Sequence, residues 1–214
     1  MTEHLVPNEQ VAAAYVELRA RVVGLIRSQP ESHGDLPVPH CPAWTVRDLL
    51  AHLVGVPEDI LAGRLEGVAT EAWTQAQVER HRGESLAQLA DAWMAASPGF
   101  DPVLSMIPAP VNSQLVFDAV THEHDLRHAI AAPGARDADA VSVALGWLVH
   151  NAHQSHPGLA EQLRSHGLDD FDLLRVWTGR RSRQQIAEIG LDIGIVERLL
   201  AASPLSLPET SVHE

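Results

Sequence analysis

Apolar residues along this chain recur at helical spacing over most of its length. Val11, Ala14, Tyr15, Leu18, Val22, Leu25 and Ile26 follow the 3.6-residue period of a first helix. Residues 30–43 break the pattern with Pro30, Gly34, Pro37, Pro39 and Pro42, and read as a loop. A second helix opens at Thr45, whose hydroxyl caps it while Asp48 complements the free amides of the first turn. Leu49, His52, Leu53, Val56 and Ile60 then form one stripe, and Gly55 with Pro57 predicts a kink one turn after His52. A third helix fits residues 70–96, with Trp73, Leu86, Leu89, Trp93 and Met94. Four prolines between 97 and 110 predict the next loop, and a fourth helix spans about 111–131 before Pro133-Gly134.

A fifth helix covers about 137–154, and shorter elements follow at 157–166, 169–178, 182–189 and 192–202. Ser182 with Gln185 is a capping-box signature. The tail from Pro204 to Glu214 is expected to be extended and partly mobile. Long helices joined by loops predict an all-α bundle, with residues 1–155 as the bundle and 156–214 as a short helical extension packed on it. There is no internal repeat, and no alternating pattern long enough for a convincing strand.

Composition narrows the function classes. Fifteen basic residues against 28 acidic give a net charge of −13, which disfavours nucleic acid and anionic membranes as partners. No stretch approaches the roughly 18 apolar residues of a membrane span, and no signal peptide is recognised. The single cysteine, Cys41, excludes an internal disulfide and fits a reducing cytoplasm. Thirteen histidines weaken the meaning of any one of them.

Candidate chemistry concentrates on the fourth helix. Asp118 and His122 stand four residues apart and share a helix face with Leu115, Ala119, Leu126 and Ala129. A carboxylate and an imidazole turned towards a core need a partner, and a divalent metal is one. His52 has the same character on the second helix. The alternative is a core histidine hydrogen-bonded to backbone or side chain. Asp125 can fix the tautomer of His122, act as a general base, or pair with Arg127 or Arg21. Glu123, His124, Arg127 and His128 read as the solvated side, with Arg127 within reach of an anionic substrate. His122-Glu123-His124-Asp125-Leu126 is not the zinc-protease HExxH, because its fifth residue is leucine.

Cys41 precedes the second helix, where the helix dipole lowers a thiol pKa; a packed turn residue is the plainer reading. Gly179-Arg180-Arg181-Ser182-Arg183 is the one basic cluster, either a capped helix start or a carboxylate clamp. Neither a phosphate-binding Gly-rich loop nor a Gly-x-Ser-x-Gly elbow is present.

Three segments carry a family resemblance. Cys41-Pro42-Ala43-Trp44-Thr45-Val46-Arg47-Asp48-Leu49-Leu50-Ala51-His52-Leu53 resembles the opening of the second helix in the mycothiol-dependent maleylpyruvate isomerase family, one of the DinB-like metal-binding bundles. The segment from Phe117 to Ala129 is similar to that family's second motif, and Trp177 to Ile186 to its C-terminal signature. The resemblance implies a DinB-like four-helix bundle whose divalent metal, usually zinc, is held by His52, Asp118 and His122 with positions left open. It implies a low-molecular-weight thiol such as mycothiol as cosubstrate, and a small electrophilic or carboxylate substrate. Asp125, Arg127 and Arg181 become the candidate catalytic residues, the reaction a thiol-assisted isomerisation or thiol transfer, and a homodimer a possible assembly. This chain departs from the isomerase in having the shorter Asp118 where the isomerase has Glu, and in a short C-terminal region. Two further readings stand beside the enzyme: a non-catalytic metal- or ligand-binding module, and a metal-free bundle with the three residues bonded to one another.

Overall fold

A computed structural model describes residues 4–156, 158–201, 203 and 205–214. The expected element boundaries at Pro157, Ala202 and Pro204 lie outside the described residues. The architecture is all-α with additional short C-terminal helices. Its helices are α1 (Asn8–Arg27), α2 (Val46–Ala62), α3 (Glu71–Arg80), α4 (Leu86–Met106), α5 (Val111–Ala129), α6 (Asp139–Ser155), α7 (Leu159–Arg164), α8 (Asp170–Trp177), α9 (Arg183–Glu188) and α10 (Ile193–Leu200).

The chain divides into two compact units, and α1 and α5 each pass from one to the other. One unit comprises the chain up to Ala14, Ala109–Thr121 and Gly134–Glu214; the other comprises Tyr15–Pro108 and His122–Pro133.

In the second unit, side-chain contacts link α1, α4, α2 and α5 in a ring, the arrangement of a four-helix bundle. Tyr15 on α1 meets the Trp93 ring edge-on and tilts against Phe100, both on α4. Arg19 holds Asp101 of α4 with two bonds of 2.6 and 2.8 Å. Helix α4 packs along α2. The His52 ring of α2 stands edge-on to that of His122 on α5, and Arg21 on α1 bonds Glu123 on α5 at 2.9 Å.

Helix α2 begins where its capping residue dictates. The Thr45 hydroxyl accepts from the Asp48 N–H, and the Asp48 carboxylate accepts from the Thr45 N–H at 2.9 Å. Arg47 in the first turn bonds Glu31 at 2.6 Å and the Glu84 carbonyl at 2.8 Å. The Glu31 hydrogen bond raises its guanidinium pKa above the ordinary value.

Local expectations fail at three places. Residues 30–43 hold more order than a loop: a 3₁₀ turn (Glu31–Asp35) and an antiparallel ribbon of β1 (Pro37–Val38) with β2 (Cys41–Thr45). Both strands are too short for an alternating pattern to register. The single helix expected over 70–96 is two, because Gly83 takes a φ of 86° and Ser85 with Gln88 forms a capping box that starts α4 anew. The expected loop at 97–110 is largely helix, since α4 runs through Pro98 and Pro102 to Met106. Pro98 cannot donate to the Met94 carbonyl, and the Ser97 hydroxyl takes that role at 2.7 Å.

In the first unit, α6 packs on α7 and α8. The Phe117 ring of α5 stacks on Trp147 of α6 at 4.4 Å. Residues 205–214 carry no helix or strand, and part of this stretch packs back on α8 and α9. Ser211 Oγ bonds Ser182 Oγ at 2.7 Å, and Gln185 donates to the Val212 carbonyl at 2.9 Å. Glu214 accepts from the fully buried Arg175 and, at 3.2 Å, from Arg181. Among the described residues, no helix is long and apolar enough to cross a membrane.

Candidate metal centre

His52 lies two turns into α2, so the cap at Thr45 sets its depth along the bundle. The ring is buried, and its centroid lies 5.1 Å from that of His122. Trp44, the residue before the cap, tilts over both imidazoles at 5.4 and 5.7 Å. Asp118 precedes His122 by one turn of the same continuous helix, so α5 itself holds them on one face. His52 and His122 thus bring two imidazoles together within the second unit.

Each histidine is backed by a second polar group. Gln77 on α3 lies 2.7 Å from His52 Nδ1 through its Oε1, while its amide nitrogen donates to Asp59 Oδ2 at 2.8 Å. Asp59 is turned inward on α2 and is held by Arg64 at 2.6 Å and Arg80 at 2.7 Å. Because the Gln77 amide nitrogen faces a carboxylate, its oxygen faces the histidine, so His52 Nδ1 carries the proton and Nε2 the lone pair. Asp125 is fully buried, and its Oδ2 lies 3.3 Å from His122 Nδ1. Two imidazoles and one carboxylate are a donor set that zinc and similar ions accept, and groups behind the imidazoles are the usual means of orienting them.

Gly55 is what admits Gln77. A Cβ at residue 55 would lie 2.5 Å from Gln77 Cβ and 2.6 Å from its Cγ. Glycine therefore lets α3 lie close against α2, one turn beyond His52. Helix α2 continues through Gly55 and Pro57 to Ala62.

The outer residues are arranged differently from the sequence pattern. Glu123 and His124 are buried rather than solvated. Glu123 is buried because it accepts from both Arg21 and Arg127, the latter at 3.0 Å. Asp125 therefore pairs with neither arginine. It instead accepts from the Cys41 thiol at 3.6 Å, so Cys41, His122 and Asp125 form a second group of close donors. Arg181 lies among its own acids, Asp172 at 3.3 Å and Glu214.

Sequence reasoning missed Gln77 and Asp59. Asp59 carried a signal, since it lies seven residues after His52 and hence on the same face of α2. Gln77 carried none, because a glutamine on a polar helix has nothing to distinguish it.

Residues 15–119 match the family described as Mycothiol maleylpyruvate isomerase N-terminal domain. The matched stretch contains His52 and Asp118, and His122 and Asp125 follow directly after it. Comparison with curated proteins and with solved structures gave no match. This match over residues 15–119 supports the family that the sequence segments resemble.

Proposed function

We propose that this protein is a metal-dependent enzyme acting in the cytoplasm, of the mycothiol-dependent isomerase or thiol-transferase type. His52, Asp118 and His122 are its metal ligands, and a low-molecular-weight thiol is its cosubstrate. The observation that carries the reading is the facing pair of imidazoles, His52 and His122, each backed by a further polar group, with Asp118 one turn before His122 on α5. A divalent ion held there, zinc by its ligand chemistry, would supply Lewis acidity that keeps a thiol deprotonated at neutral pH.

The chain's own residues account for the rest. The Asp59–Gln77–His52 chain keeps the His52 lone pair on Nε2. Asp125 beside His122 Nδ1 favours the proton on that nitrogen and the lone pair on Nε2. Asp125 is also the carboxylate placed to receive a proton from an incoming thiol. Trp44 covers both rings and limits water at the site. Substrates of the matching chemistry are small electrophiles, including those that carry a carboxylate. For Arg127 or Arg181 to bind that carboxylate, each must exchange an acid it now holds, Glu123 or Glu214.

That occupation of both arginines favours a second reading, a non-catalytic metal- or ligand-binding module. Metal analysis on protein purified without a histidine tag tests the ligand assignment. His122→Ala should remove one equivalent of zinc relative to wild type, and full retention in that variant refutes the assignment. A cobalt-substituted protein whose spectrum shifts on adding thiol supports the enzyme; an unchanged spectrum supports the module.

A further inference from the structure

In the first unit, a separate cluster of metal-ligating side chains stands apart from the chemistry proposed above. The His4 ring stacks on the ring of His153 in α6, with centroids 4.6 Å apart and planes within 10° of parallel. His153 Nε2 is shielded from solvent and lies 2.5 Å from Glu161 Oε1 on α7, without the alignment a hydrogen bond needs. One donor atom from each of His4, His153 and Glu161 lies within 4.8 Å of the other two.

The backbone is shaped to bring His4 there. A Cβ at Gly146 would lie 2.3 Å from the His4 carbonyl oxygen. Only glycine lets the N-terminal segment lie this close to α6, two turns before His153 on the same helix. Three chain segments, the one at His4, α6 and α7, thus each deliver one donor to a single point. Beside that point is a cleft lined by His4, Val149, Glu161, Arg164 and Ser165, which leaves space for further ligands such as water.

We propose that His4, His153 and Glu161 form a second divalent-metal site that clips the N-terminal segment and α7 onto α6. Two imidazoles and one carboxylate select a zinc-like ion over magnesium or calcium, which prefer all-oxygen sites. Such an ion stabilises the folded unit, because the unfolded chain does not hold the three donors together. Without the ion, His153 and Glu161 lie side by side with His4 stacked on the His153 ring.

The test is zinc titration of the full chain, untagged and stripped with chelator. Wild type binds two equivalents, whereas His153→Ala and Glu161→Gln each bind one. His122→Ala also binds one, and His122→Ala combined with His153→Ala binds none. Glu161 is exposed, and glutamine keeps an oxygen to accept the Gly158 N–H at the start of α7, so this variant guards against misreading a misfolded one. Amide hydrogen exchange at residues 5–8 slows with zinc in wild type and in His122→Ala, but not in His153→Ala. Wild-type stoichiometry in both His153→Ala and Glu161→Gln overturns the proposal. So does exchange at residues 5–8 that zinc leaves unchanged. Loss of zinc in His122→Ala bears only on the first site, so the two readings fail separately.

Discussion

Gly55→Ala tests the link between helix packing and the metal centre. Alanine in a helix interior is favoured over glycine by about 1 kcal/mol. Here the new methyl would lie 2.5 Å from Gln77 Cβ, roughly 1 Å inside ordinary carbon–carbon contact. The atoms it meets first are Cβ and Cγ of a residue anchored on α3, so relief requires α3 itself to shift. Overpacking of this kind costs about 1–3 kcal/mol, and the net expectation is destabilisation by about 1 kcal/mol. The same shift pulls Gln77 from His52, whose contact is now 2.7 Å. Loss of such a backing group typically weakens metal binding about 10–100-fold. Urea unfolding of the chelator-treated protein reads the first effect as a lower midpoint with an unchanged slope. Zinc competition against a chromophoric chelator reads the second. Gly24→Ala is the control: residue 24 lies inside α1, and an added methyl there would meet nothing within 4 Å, so that variant should gain about 1 kcal/mol. If Gly55→Ala gains as Gly24→Ala does and binds zinc as wild type does, the close approach of α3 has no role in holding His52.

Two further outcomes follow from the same site. Gln77→Leu leaves the His52 N–H without its acceptor, while Arg64 and Arg80 still satisfy Asp59. It should weaken zinc binding about 10–100-fold, with a stability loss of about 1–3 kcal/mol, read by chelator competition and urea unfolding. Acid should release the metal, because an imidazole binds it only when neutral and protons compete for the same lone pair. Occupancy therefore falls as the pH is lowered; occupancy unchanged to pH of about 4 argues against histidine ligation.

Local rules read the chain well wherever a feature depends on neighbours a few residues apart. The capping box Thr45–Asp48, the restart at Ser182–Gln185 and the i, i+4 pair Asp118/His122 are all of this kind. The prolines misled for a related reason. A proline in a helix leaves the carbonyl four residues back without its N–H partner, and at Pro98 the Ser97 hydroxyl takes that place on the Met94 carbonyl.

Amphipathic pattern, caps and the motif segments therefore determined an all-α chain with a candidate ligand trio, because helix geometry ties sequence spacing directly to position on a face. Tertiary structure alone decided the surroundings. Gln77 reaches His52 across 25 residues through the space left by Gly55. Glu123 is buried because arginines on two helices converge on it, and His4 meets His153 because Gly146 admits its backbone. Such contacts depend on which surfaces meet and how closely, and a hydrophobic period carries no information about either.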